Sequence, residues 1–380
     1  MAVTRIYRST DINAPALTPA TVGSLNAVLS ACLVDGFTPV SVTSITRSGS
    51  IVTVTISGSH GYKKYTKITI AGATETAYNG EWSITPVSAS VFTFDIGAAT
   101  PTTPATGTIT ATQVGAGWTK PYNASNIAVF LQPAGYTGLY LQVDDSIVTT
   151  SYAKVRGYES MSSATVGTNP FPTLIQHPNG QTIFKGVTTA RPWMIVVSGG
   201  TIHLFIDTQS TSNTKWYNYF GDINTYKTGD AFHYAVIAGP EATPGTNPTF
   251  SSNNMAAIAI SLTSPQNYHY IARSQNQSVG AVTLGKHTDA AKAGQSTWGG
   301  GQMPYPHSPD GGLYVSPVWV SETNSMVRGS LKGTWASCHA SSNFTDGDTI
   351  VGTGDMAGKV FEVINFYSSG QALLEISDNW

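Results

Sequence analysis

The sequence predicts a mainly β protein: a β-sandwich-like body with one short N-terminal helix and an inserted small antiparallel β-sandwich or barrel domain. Short β-branched and aromatic runs alternate with Thr and Ser through most of the chain. The 38 glycines and 20 prolines among 380 residues supply the turns between those runs. Apolar residues at clear helical spacing occur near the N-terminus alone.

That helix is the first element. Thr18-Pro19 reads as a cap followed by proline at the first helical position. Val22, Leu25, Val28, Leu29, Cys32 and Leu33 then recur at steps of three and four, and Asp35-Gly36 supplies the stop. Such a stripe buries one face against the rest of the protein.

From residue 38 the period becomes two. Runs at 40–42, 51–56, 67–70, 82–84, 91–94 and 107–110 read as short strands, with turns at 47–50, 58–61 and 78–81. Strands this closely spaced make a small antiparallel sandwich or barrel over 38–112. The main β-rich body follows at 113–380. In that body, runs at 127–131, 139–143, 193–197, 202–206, 232–237, 257–262, 313–320 and 360–366 read as strands. No strand–helix rhythm, fixed-period repeat or heptad is present, which excludes a doubly wound fold and a fibre shaft.

Composition narrows function by exclusion. Charged residues are 11% of the chain and the formal net charge is −2, so no field draws in a nucleic acid. The expectation is no nucleic-acid partner. No run approaches the ~18 apolar residues of a membrane helix, and the first fifteen or so lack the apolar core of a signal peptide. A soluble protein made in a cytoplasm, with no membrane partner, is the corresponding expectation. Cys32 and Cys338 stand far apart and read as reduced, buried small residues.

The catalytic templates fail: HExxH, the Walker loop, the GxSxG elbow and Cys-x-x-Cys are all missing. Gly352-Thr353-Gly354-Asp355-Met356-Ala357-Gly358 has the wrong glycine spacing for a dinucleotide loop and reads as a tight turn. Asp144-Asp145 would suit a glycosidase pair or a Ca²⁺ site, but adjacent strand residues point to opposite faces. Asp346-Gly347-Asp348 with Asp355 lacks the spacing and closing Glu of a calcium loop. Asp222 and Asp230 bracket a hairpin. His60, His177, His203, His233, His269, His287, His307 and His339 show no metal-ligand spacing, although His203 and His233, both in predicted strands, are candidates to meet in space. The expectation is a chain with no catalytic residue, metal ligand or cofactor.

Trp216, Tyr217, Tyr219, Tyr226, Tyr268, Tyr270 and Trp298 lie near Asn, Gln and Asp. Aromatic faces beside carboxamides suit pyranose rings, a subunit interface, or the protein's own core.

Several segments resemble a family of tailed-bacteriophage virion structural proteins. They include Gly138-Leu139-Tyr140-Leu141-Gln142-Val143-Asp144-Asp145, Ala153-Lys154-Val155-Arg156-Gly157-Tyr158-Glu159-Ser160-Met161, Asn169-Pro170-Phe171-Pro172 and Ala190-Arg191-Pro192-Trp193. Gly312-Leu313-Tyr314-Val315-Ser316-Pro317, Val327-Arg328-Gly329-Ser330-Leu331-Lys332-Gly333-Thr334-Trp335 and Asp346-Gly347-Asp348-Thr349 are similar in the same way. The resemblance covers the helix and most of 113–380, which implies that residues 1–37 are part of the main body at 113–380. In that family the counterpart of Ala31-Cys32-Leu33-Val34-Asp35-Gly36-Phe37 runs almost directly into that of Gly117-Trp118-Thr119-Lys120-Pro121-Tyr122. Here 38–112 intervenes, and it resembles small β domains of phage tail and surface proteins through Ser59-His60-Gly61-Tyr62, Ile70-Ala71-Gly72-Ala73 and Tyr78-Asn79-Gly80. An insertion at an exposed loop should have adjacent ends and project from the body.

The resemblance implies a non-enzymatic virion building block, tail- or baseplate-associated or on the capsid surface, assembled in the host cytoplasm. Its partners would be other virion proteins and copies of itself. The alternative is a receptor- or glycan-binding phage appendage whose partner is a host surface glycan, through the inserted module or the aromatics at 216–226.

Overall fold

Helical spacing is realised at Ser24–Ser30, which continues into a π-helical turn at Ala31–Asp35. These elements belong to a computed structural model that describes residues 3–147, 152–186, 188–207, 215–238, 269–288, 306, 309–322, 326–337, 344–366 and 370–378. Leu25, Val28, Leu29, Cys32 and Leu33 are fully buried, so the predicted stripe is the packed face. Each such side chain contributes about 1.5–3 kcal/mol when withdrawn from water. The start differs from expectation: the helix begins after Gly23, which is left-handed at φ 77, and no side chain of its own caps it. The stop at Gly36, φ 78, falls where the sequence places it.

The fold is mainly β, with antiparallel sheets and one short helix, as predicted. The largest sheet has thirteen strands. It runs through Thr4–Arg8, Trp193–Ser198, Thr201–Asp207, Lys215–Asp222, Tyr234–Ile237, His269–Arg273, Val279–Thr288, Val315–Glu322, Met326–Ser337, Gly370–Glu375, Val360–Phe366 and Thr349–Val351, with Asn224–Thr225 also on Met326–Ser337. Lys215 pairs in parallel with Phe366, so the sheet rolls almost into a closed barrel. The run at 257–262 lies outside the described residues.

A six-stranded sheet covers one side of that barrel-like sheet. It is built of Gly167–Phe171, Tyr152–Met161, Tyr140–Asp144, Ile127–Leu131 and Thr119–Ala124, with Gln181–Phe184 also on Tyr152–Met161. Its Ala128, Phe130, Leu141, Val143, Val155 and Ile183 join the helix stripe and Ile195, Val197, Ile202 and Leu204 in one core. Met194, Val196 and Phe205, the alternate residues of the same two strands, belong to a second core with Tyr217, Tyr219, Val320 and Leu374. Trp193–Ser198 is therefore buried on both faces, which is why its sequence is continuously apolar.

Residues 40–112 form a seven-stranded sheet with a core of their own. Its strands are Val40–Ser48, Ile51–Ile56, Lys67–Ala73, Gly80–Ser83, Thr85–Ser88, Val91–Asp95 and Gly107–Thr112. The chain enters and leaves side by side: the Phe37 N–H donates to the Gln113 carbonyl at 2.8 Å, and Val40 pairs with Ala111. The module also makes polar contacts with the body. Arg5 pairs with Glu81 at 2.8 Å and Lys67 with Asp378 at 2.9 Å. The Ile12 N–H donates to the His60 carbonyl at 2.9 Å. Gly61 allows this approach, since a Cβ there would lie 1.8 Å from the Thr10 carbonyl oxygen.

Candidate functional site

The two predicted neighbours Asp144 and Asp145 turn away from each other in function as well as direction. Asp145 and Lys185 form an ion pair in which both side chains are wholly buried. The Oδ2 of Asp145 also accepts the Leu25 N–H at 2.8 Å. Lys185 Nζ donates to the Thr21 carbonyl at 3.1 Å. Asp145, just past the end of strand Tyr140–Asp144, thus supplies the cap that Gly23 lacks. Asp144 instead accepts the Ser146 N–H at 3.0 Å, closing a local turn. Neither arrangement presents two carboxyls to one substrate.

Asp222 and Asp230 anchor adjoining polar networks on the barrel-like sheet. Asp222 is buried and accepts Gln132 Nε2 at 2.8 Å and Thr137 Oγ1 at 2.7 Å, with His233 Nε2 at 3.6 Å from its Oδ2. The other ring nitrogen of His233 faces the Asp230 carbonyl. With an acceptor at each nitrogen, the imidazolium satisfies both. Burial by itself would lower the His233 pKa, but the bond and charge of Asp222 and the Asp230 carbonyl raise it overall. Burial would likewise raise Asp222, yet the hydrogen bonds from His233, Gln132 and Thr137 hold it below the usual carboxylate range. Lys332, alongside, is lowered by burial and partly restored by Asp222.

This pair makes stability depend on pH. Folding raises the His233 pKa, so its contribution is fully present below about pH 6.5 and is lost as pH rises through the folded value. Asp222 is depressed, so its contribution is present above about pH 4 and is lost as pH falls through its folded value. Urea unfolding from mildly acidic to mildly alkaline pH should show the wild type weakening and His233→Gln showing a flatter profile. Equal slopes for the two proteins would exclude this role.

Asp230 belongs to a second network. Its Oδ2 binds Arg328 Nη2 at 2.5 Å and Thr225 Oγ1 at 3.0 Å, and its Oδ1 accepts Gln277 Nε2 at 3.1 Å. Arg328 Nη1 reaches Glu322 Oε1 at 3.0 Å, and the Arg328 side chain is wholly buried. Beside this rigid base lies an exposed apolar patch. Tyr226 is 55%, Met326 50% and Val327 44% exposed, and the Tyr226 ring is 5.6 Å from that of Trp319. The Tyr226 N–H donates to the Arg328 carbonyl at 3.1 Å, tying patch to network.

The other candidates take structural places. Asp346 pairs with Lys215, which also lies 3.7 Å from Asp207 at the barrel seam, and it accepts the Asn365 N–H at 2.9 Å. Asp348 accepts the Thr345 N–H at 2.8 Å. Asp355 lies in the 3₁₀ turn Gly354–Met356 inside the glycine-rich segment. His203 is held by Tyr217 Oη at 2.7 Å, and burial pushes its pKa down to about 3. His233 stands just before a strand, contrary to expectation, and its ring nitrogens face Asp222 and Asp230, so the proposed His203–His233 meeting is not what holds either ring. His60 accepts the Tyr62 N–H at 2.9 Å, and His177 bonds Tyr270 Oη at 2.8 Å. Cys32 is a free buried thiol whose pKa burial pushes up.

Of the aromatics read as a sugar or interface surface, Tyr217, Tyr219 and Tyr270 are core residues. Trp216 is half-buried and packs edge-on against Phe184 at 4.2 Å. Tyr226 alone of the described members is exposed. Tyr268, Trp298, Cys338, His307 and His339 lie outside the described residues, as does the His287 side chain. Among the described residues, no group of three or more His, Cys, Asp or Glu is placed to hold a metal ion. No described helix is long and apolar enough to cross a membrane.

Architecture defines the class: a mainly antiparallel β protein with a near-closed barrel-like sheet, a covering sheet and a seven-stranded module. No family model matches the chain, and no curated protein is significantly similar to it.

Proposed function

We propose that the chain is a non-enzymatic structural component of a tailed-bacteriophage virion, tail- or baseplate-associated or on the capsid surface. It works by assembling with copies of itself or with neighbouring virion proteins. The observation that carries this reading is the exposure of Tyr226, Met326 and Val327, with Tyr226 set against the half-buried Trp319 ring, beside a fully buried Arg328 network. Large aromatic and Met side chains on a rigid base are what interface centres use. The low charge density supports the same reading, since contacts between copies then desolvate few ions. The sequence segments similar to virion structural proteins supply the kind of particle.

Sedimentation velocity tests the patch. The wild-type chain is expected to self-associate, or to co-assemble with its virion neighbours, and Tyr226→Asp to weaken that association at least tenfold with an unchanged melting temperature. Identical association by the two proteins would refute the patch as the interface.

A further inference from the structure

We propose that the groove beside the helix is a binding site for a neutral saccharide. It has a volume of about 470 Å³ and lies between the helix, the loop at Asn13 and Pro15, and the edge strand Thr119–Ala124 with its turn. This volume is in the range of small-ligand sites. The turn builds the rim. Ser125 and Asn126 have φ 50 and 64, the conformation of a two-residue hairpin turn. Asn126 thereby sits on Gly23, where a Cβ would lie 2.7 Å from its Oδ1.

The chemistry of the walls selects the ligand. Asn123 and Asn126 are exposed, and no hydrogen bond among the described residues occupies their side-chain amides. Each carboxamide offers two donors and an acceptor, the set that matches adjacent hydroxyls. Asn26, only 7% exposed, spends its Nδ2 on the Asn126 carbonyl and so holds the turn that carries Asn126 against the helix. Lys120 donates to Ser30 Oγ at 3.0 Å and lies 3.9 Å from Asp35, so the charges of the groove cancel. A cancelled charge recruits neither an anion nor a cation. Pro15 and Ala27 add apolar surface for the C–H face of a sugar ring.

An extended peptide fits less well. Thr119–Ala124 is an edge strand, but Pro121 removes a donor from it, and proline at an edge blocks strand addition. The groove is built from elements other than those of the Tyr226 patch, so this site stands or falls independently of the assembly reading.

The full chain is applied to a printed array of neutral and acidic glycans, and the strongest neutral hit is titrated by calorimetry. Binding to neutral members is expected. Asn123→Ala with Asn126→Gly, which keeps the positive φ at the turn, should weaken it about tenfold without lowering the melting temperature. Asn123→Ala alone, at an exposed position, should weaken it about threefold, which keeps the test valid if the double variant is unstable. Binding of acidic members only, binding of none, or undiminished binding by the single variant would overturn the proposal.

Discussion

Lys185→Met is expected to destabilise the body by about 3–5 kcal/mol, the loss typical when one partner of a buried ion pair is removed. Both side chains of the Lys185–Asp145 pair have no exposure. Without the ammonium, the Asp145 carboxylate keeps the Leu25 N–H at 2.8 Å but has no countercharge in an apolar setting. Lys185 also holds the Thr21 carbonyl, just before the helix, so the segment leading into Ser24–Ser30 loosens with it. The Gly23 N–H to Asp145 carbonyl bond at 2.9 Å and the Asp145 N–H to Asn126 carbonyl bond at 3.0 Å bind the same junction. Asp145→Ala should cost a similar amount, and the double variant less than the sum, because each single change strands the other charge. Urea unfolding followed by circular dichroism measures all three. Additive losses would show that the two residues act separately.

Arg328→Met should cost a comparable 3–5 kcal/mol or so, by leaving Asp230 and Glu322 facing a buried methionine. Lysine should not rescue it. One guanidinium reaches two carboxylates here, a reach that a single ammonium at the end of a flexible stem does not reproduce. The same variant should weaken assembly, because losing the Arg328 ion pairs loosens the strand segment whose backbone carbonyl holds the Tyr226 N–H. Thermal melting and sedimentation of Arg328→Lys and Arg328→Met check both consequences. A stable Arg328→Lys protein that associates normally would contradict this account.

How much was legible in the sequence follows from which forces are local. The helix stripe and the alternating runs at 51–56, 67–70 and 91–94 encode their own burial, and the structure places strands on them. Met326–Ser337 is a twelve-residue strand that carries no such alternation, since most of it is buried on successive residues, Arg328 and Thr334 included. Tyr152–Met161 is similar, with Lys154, Arg156 and Glu159 inside a strand. Arg328 and Glu159 are tolerated because Asp230 and Arg273 arrive from 98 and 114 residues away, and single-sequence periodicity does not see those partners. The N-terminal cap is the same lesson. Thr18-Pro19 has the local signature, but Asp145 supplies the cap across 120 residues.

The aromatics illustrate the converse. Tyr217, Tyr219 and Tyr270 look in sequence like Tyr226, and only closure of the barrel-like sheet separates core from surface. The groove was equally silent, because Asn26, Asn123 and Asn126 converge through the fold and carry no spacing signature.

Quantitative mass spectrometry of purified particles tests the assembly account most directly. The account predicts that the chain is present after stringent washing, at a fixed copy number per particle that reflects the symmetry of head or tail. A chain that is missing from washed particles, or present at a variable trace level, would contradict it.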